Sequence, residues 1–219
     1  MIEVQNLSTY SSLLSDFVAE MRHIDIQGDS LRFRRNIERT GEIIAYEISK
    51  RLQYDIEDIP SPLGIAKGFR LSEKVVIATI LRAGLPFHHG FLNYFDHAEN
   101  AFVSAYRKYK DALRFDINVE YIACPRLDNK VLIITDPMLA TGSSMEMAFH
   151  ALCQKGKPSK IHIASVIASQ QAIDYLEKHL PQNQDFTIWT AALDEQIDDH
   201  SYIVPGLGDA GDLAYGKKS

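Results

Sequence analysis

The run Val131-Leu132-Ile133-Ile134-Thr135-Asp136-Pro137-Met138-Leu139-Ala140-Thr141-Gly142-Ser143-Ser144 leaves this chain few folds to choose from. A continuous apolar, β-branched stretch is the pattern of a parallel strand buried on both faces. An acid closes the strand, a loop of small residues follows, and an apolar helical period then begins. In open α/β sheets, ligands sit just beyond the carboxyl ends of the strands. Thr141-Gly142-Ser143-Ser144 opens a helix with unpaired backbone N–H groups, hydroxyls and the positive end of the helix dipole, which together suit a phosphate. Asp136 repels phosphate but accepts hydrogen bonds from hydroxyls. The combination reads as a cradle for a sugar phosphate. The plainer reading is a strand–turn–helix in which Thr141 or Ser143 only caps the helix. These residues alone leave both readings open.

The rest of the chain supplies partners for such a strand. Val75 to Ile80, Lys160 to Ala168 and Asp185 to Ala191 read as further strands. Helical patterns at Pro86 to Phe95, Thr141 to Lys155 and Ser169 to His179 alternate with them. That order predicts an α/β fold with a central parallel sheet flanked by helices. Residues 8–52 read as two N-terminal helices. In Ser8 to His23, capped by Asn6 or Ser8, Tyr10, Leu13, Leu14, Phe17, Val18 and Met21 form one stripe. A longer helix, from Asp29 or Ser30 to Leu52, places Ile37, Gly41, Ile44, Ile48 and Leu52 on another. Its Arg32, Arg34, Arg35 and Arg39 form either a solvated face or an anion or subunit contact. Tyr54 to Leu71, broken by Pro60, Pro62, Gly64 and Gly68, reads as turns with a short edge strand.

One domain over 1–219 is the default for this length. A net charge of −6 argues against a nucleic-acid or anionic-membrane partner, while leaving room for a local basic pocket. The two cysteines, Cys124 and Cys153, form no metal-like or redox-like motif. They read as reduced thiols, which points to the cytoplasm. Neither a signal peptide nor a membrane span is read.

Three further stretches carry potential chemistry. Arg82, in Leu81-Arg82-Ala83-Gly84, follows a buried strand directly; it is a bidentate phosphate ligand or merely an exposed strand exit. Ala101 to Tyr106 leads into Arg107-Lys108-Tyr109-Lys110, and the alternation to Ala123 predicts a β-hairpin arm over 107–123. Its positive charges are an anion clamp or the protection of a sheet edge. Adjacent His88 and His89 point in different directions on a helix and make a poor metal pair. Finally, Tyr202-Ile203-Val204-Pro205-Gly206-Leu207-Gly208-Asp209-Ala210-Gly211-Asp212 has no helical period. Its apolar anchors favour an ordered loop whose backbone groups need partners, and a flat heterocycle with adjacent donors and acceptors is one.

These stretches resemble the uracil phosphoribosyltransferases. Met21-Arg22 with Arg32-Phe33-Arg34, Ile80 to Leu85, Tyr106-Arg107, the loop Asp136 to Gly142 and the tail Tyr202 to Asp212 each match a family pattern in order. The resemblance implies the phosphoribosyltransferase fold with a β-hairpin arm and a C-terminal base-binding loop within 200–219. It implies transfer of a phosphoribosyl group from phosphoribosyl pyrophosphate (PRPP) to uracil, giving UMP and diphosphate. The catalytic residues it implies are Asp136 and Arg107. PRPP would be held by Arg82, Arg107, Asp136, Pro137, Met138, Leu139, Ala140, Thr141, Gly142, Ser143, Ser144 and Asp209. Uracil would be read by Ile203, Gly208, Asp209 and Ala210. Mg2+ is implied as cofactor, bound through the diphosphate near Asp209 without a direct protein ligand set. A homodimer or homotetramer is also implied and, as in parts of the family, activation by GTP.

The chain departs from the family pattern at Thr79, at Pro86 to His88, at Ser143, at Ser169 to Gln171 and at Leu213. These positions touch phosphate handling and subunit contacts more than base choice. The competing expectation is a non-catalytic sensor of PRPP and uracil nucleotides with the same fold.

Overall fold

The computed structural model describes residues 2–109 and 115–217, and within these the side chains outside 105–120. β1 (Glu3–Asn6) opens the chain, and a single 3-10 turn over Leu7–Thr9 follows, capped by the Asn6 side chain. α1 runs over Leu13–Arg22 with Ser12 and Ser15 in a capping box, and α2 over Ser30–Ser49 with Asp29 as its cap. The helix expected from Ser8 therefore starts later. Ser12 offers its hydroxyl to the first helical turn, and the preceding residues join a strand and a turn instead. Tyr10 and Leu13, assigned to the apolar stripe, are exposed, whereas Leu14, Val18 and Met21 are buried.

β2 (Tyr54–Ser61) and β3 (Gly64–Leu71) form an antiparallel hairpin of their own, apart from the main sheet. The expectation of turns with one short edge strand was wrong here. Pro60 lies opposite Ile65 near the hairpin tip, and Gly68 lies opposite Glu57. A proline near the end of an exposed two-stranded ribbon costs it little pairing.

β4 (Val75–Leu81), α3 (Gly84–Leu92), β5 (Glu99–Tyr109) and β6 (Phe115–Ala123) come next. β5 and β6 pair antiparallel from Phe102 opposite Ala123, so the hairpin starts inside the main sheet, ahead of residue 107. β7 (Val131–Thr135), β8 (Met138–Leu139), α4 (Ser143–Cys153), β9 (Lys160–Ser169), α5 (Gln170–His179) and β10 (Phe186–Asp194) complete the α/β part. β11 (Gln196–Ile197), β12 (Ile203–Val204) and α6 (Ala210–Tyr215) form the tail.

The main sheet has the order β1-β10-β9-β7-β4-β5-β6, with β8 added beside β9. Its pairings are parallel except for the β5–β6 arm. Alternating side chains of each central strand enter opposite layers. Val75, Ile77, Val131 and Ile133 pack under α1, α2 and α3. Val76, Ala78, Leu132 and Ile134 pack under α4 and α5. Both layers are apolar, which is why these strands read as unbroken hydrophobic runs. Each fully buried Val, Leu or Ile contributes about 1.5–3 kcal/mol. The two layers hold the strand ends, and with them the loops at Arg82 and Asp136, in fixed relation.

Candidate active site

The loop after β7 is fastened on three sides. The Asp136 N–H donates to the Ala164 carbonyl at 3.1 Å. The Pro137 carbonyl accepts the N–H groups of Val166 and Ile167 at 3.1 and 3.0 Å, and Met138 and Leu139 pair with β9 as β8. Leu139 is buried, so Pro137 and Leu139 build the loop rather than face a ligand through their side chains. Beyond them, Ser169 bridges two elements. Its hydroxyl donates to the Ala140 carbonyl at 2.5 Å and accepts the Ala172 N–H at 2.9 Å, capping α5.

Gly142 precedes α4 with φ +82°, a left-handed conformation that favours glycine. A Cβ there would lie 2.9 Å from the Tyr175 ring and 3.0 Å from the Ala172 carbonyl. The Thr141 and Ser143 hydroxyls lie 2.8 Å apart. Ser143 thus joins the hydroxyl face of the loop. Asp136, Met138, Leu139, Ala140, Thr141, Gly142, Ser144 and Met145 line a small pocket open to solvent. Burial raises the Asp136 carboxyl to a pKa of about 7, although one hydrogen bond from the Met138 N–H, at 3.2 Å, favours its charged form. The pocket therefore offers N–H and hydroxyl donors at a helix start, with a carboxyl group at its other side.

The departure at Thr79 has a role of its own. Its hydroxyl donates to the Thr135 carbonyl at 3.4 Å, joining β4 to the end of β7. Gly84 sits so close that a Cβ would lie 2.2 Å from that hydroxyl. Arg82, one turn away, is engaged with the tail. Its Nη2 donates to Asp212 at 3.0 Å, its Nη1 donates to the Gly216 carbonyl at 3.3 Å, and its buried Nε has no partner. Arg82 is thus held by the tail rather than standing as a free strand exit. The side chain of Arg107 lies outside the described residues; its backbone pairs with Ile117 in the arm.

The tail is ordered, as its apolar anchors predict. Ile203, Leu207 and Ala210 are buried in the cluster against which Met138 and Ala140 pack. This brings the tail alongside the Asp136 loop. Asp209, expected to face PRPP and its metal, caps α6, its carboxylate accepting the Asp212 N–H at 2.9 Å. The short helix was not legible, because three glycines and a proline mask a single capped turn. Also missed was the clamp on Gly206. Arg22 pairs bidentately with Asp194 at 2.8 Å, and both hold the Gly206 backbone. The available signal was an acid at the end of a buried strand, the same placement as Asp136. The basic run of α2 is divided: Arg32 binds Glu20, Arg35 binds Glu38, and Arg34 donates to the Ala214 carbonyl at 2.6 Å. Among the described residues no group of three His, Cys, Asp or Glu is placed to hold a metal ion, and buried His88 bonds Asn100.

Comparison with known proteins bears on this arrangement. The family model for uracil phosphoribosyltransferase matches residues 9–217. A uracil phosphoribosyltransferase of Porphyromonas gingivalis is 65% identical over 217 residues, covering 99% of this chain and 100% of that protein. One from Methanothermobacter thermautotrophicus is 37% identical over 87% of this chain and 86% of its own. The solved structure of the AQ2163 protein from Aquifex aeolicus superimposes with a TM-score of 0.85 at 28% identity, covering 97% of this chain and 98% of that one.

Proposed function

The chain belongs to the uracil phosphoribosyltransferase family and makes UMP and diphosphate from uracil and PRPP, and we propose that the Asp136 loop and the tail are the two halves of its active site. The observation that carries this is the pocket at Asp136–Met145, where helix-start donors face a carboxyl group. In our reading Ala140 to Ser144 hold the 5′-phosphate and Asp136 accepts hydrogen bonds from the ribose hydroxyls. Ile203, Gly208 and Ala210 read uracil through backbone groups, since the side chains of Ile203 and Ala210 are buried in the core. Arg82 and Arg107 meet the diphosphate. The reaction breaks the bond between the anomeric carbon and the diphosphate while positive charge builds on the ribose. Positioning and electrostatic stabilisation of the leaving group then supply the acceleration.

Mg2+ fits this site as a passenger of the diphosphate. The cation favours phosphate oxygens and retained water with one or two carboxylates, and the site offers Asp136 and Asp209 singly rather than as a cage. When bound it would neutralise charge on the leaving group. The two free cysteines agree with a reducing cytoplasm as its location. Among the described residues no helix is long and apolar enough to cross a membrane.

We also read the protein as a homo-oligomer assembled through the β2–β3 hairpin. One face of that ribbon carries Ile56, Ile65 and Phe69, each exposed by two thirds or more, and Leu63 stands free at its tip. A two-stranded ribbon is marginal alone and needs an apolar partner. GTP activation belongs to the same proposal; turnover with and without GTP decides it. The test of the main reading is formation of labelled UMP from uracil, PRPP and Mg2+ by the purified protein. Turnover abolished by a chelator and restored by Mg2+ is expected. Turnover indifferent to Mg2+ would remove the cation from the scheme. An Asp136→Asn variant with an unchanged KM for PRPP would remove the ribose contact.

A further inference from the structure

Gly206 sits at the point where the tail turns back on itself. Its φ of +57° and its approach to Ile203, whose carbonyl would lie 2.0 Å from a Cβ, make the turn specific to glycine. Two charged side chains from distant parts of the chain meet its peptide groups. The Gly206 N–H donates to Asp194 Oδ2 at 3.0 Å, and the Gly206 carbonyl accepts from Arg22 Nη1 at 3.1 Å. Arg22 and Asp194 in turn close a two-bond fork, each bond 2.8 Å. Asp194 is 8% exposed and Arg22 24%, so the pair is shielded but not sealed. The Arg22 carbonyl also accepts from the Gln27 side chain at 3.1 Å, and Gln27 borders Gly208.

This geometry does more than hold two elements together. Asp194 is the last residue of β10, and the segment between it and Gly206 is a closed excursion. Gln196 and Ile197 pair with Ile203 and Val204, and the Asp198 carboxylate takes the N–H groups of His200 and Tyr202. Gly206 is therefore where the excursion ends and the stretch Leu207 to Ala210 begins. A fork between a carboxylate and a guanidinium is planar and directional, so it fixes both the position and the tilt of the Gly206 peptides. The next residues inherit that orientation. Arg34 holds the helix that follows, α6, through the Ala214 carbonyl.

We propose that Arg22 and Asp194 are positioning residues for base recognition, setting the orientation of the Gly206 peptides and through them of the backbone that reads uracil. The inference rests on the reading of Gly208 and Ala210 as base contacts. Neither charged group touches the base. Their removal changes recognition by letting the reading backbone drift, and the phosphate cradle at Asp136 is left as it was.

The experiment is steady-state kinetics on Arg22→Ala, Arg22→Lys and Asp194→Asn, each with its melting temperature, alongside Gly208→Ala. Loss of the fork should raise KM for uracil by about tenfold, the effect of losing one oriented hydrogen bond, while KM for PRPP stays within about twofold. Arg22→Lys keeps the charge without the fork and should recover melting temperature more than KM for uracil. If melting falls while both KM values hold, the pair is a structural tie only and the proposal is overturned. A parallel rise in both KM values, or a fall in kcat alone, also overturns it. Gly208→Ala strains the reading backbone directly, since its φ of +85° suits glycine, and tests the underlying reading separately. If it leaves KM for uracil unchanged, the base contacts are misassigned; if it raises KM while the fork variants do not, only the positioning role fails.

Discussion

At the scale of single residues, Asp136 concentrates the conflict between stability and function. Its carboxyl has an ordinary pKa of 3.8 and is raised to about 7 by burial. Between those values the folded protein keeps a proton that the unfolded chain has lost. The contribution of this group to stability is therefore fully present below pH 3.8 and lost as pH rises through about 7. Asp136→Asn removes the charge and should stabilise the unliganded protein at neutral pH by on the order of 2 kcal/mol, since the pocket is open on one side. Urea titration at several pH values measures this. The same change should raise KM for PRPP, because ribose hydroxyls bond a carboxylate more strongly than an amide. In the unchanged protein, KM for PRPP should fall as pH rises through about 7, and in Asp136→Asn that slope should disappear. A variant both less stable and less active, with the pH slope intact, would contradict this account.

At the scale of elements, the phosphate cradle depends on how three elements meet. β8 lies beside β9, α4 begins at the left-handed Gly142, and α5 begins at Ser169. Ser169 joins the first to the third by bonding Ala140 and capping α5. Ser169→Ala should cost about 1–2 kcal/mol, the usual loss for a helix cap, read as a lower melting temperature. It should also raise KM for PRPP more than KM for uracil, because Ala140 belongs to the cradle and not to the tail. Ser169→Thr keeps the hydroxyl and should recover both measures. Tyr175, in α5, donates to Glu146 in the first turn of α4 at 2.7 Å, a second tie at the same junction, which pushes the Tyr175 pKa to about 12.

At the scale of the whole molecule, the β2–β3 hairpin leaves an apolar face exposed. Phe69 and Ile56 face each other across the ribbon and are 73% and 68% exposed. On the proposed assembly, Phe69→Asp should give a monomer, as seen by sedimentation velocity, and lower the melting temperature without altering the Asp136 pocket. An unchanged sedimentation coefficient would exclude the hairpin from the interface. The α/β architecture itself was legible because β4, β7 and β9 are buried on both faces, and only unbroken apolar runs satisfy that. The cradle was legible because strand, acid, small loop and helix are contiguous. The hairpin was not, since Pro60 and Gly68 read as breakers and an exposed ribbon has no buried face to impose a period. The Arg22–Asp194 clamp was not either, because its partners are 172 residues apart and nothing local marks the pairing. The sequence by itself determined the local patterns: which strands are buried, where a helix can start, and which loop can meet a phosphate. Only the tertiary structure decided which charges meet which backbone groups, whether Arg82 is free or held by Asp212, and that Asp209 caps a helix. Hydrophobic period is a short-range property that each segment carries alone. An ion pair is selected by three-dimensional proximity, which no segment contains.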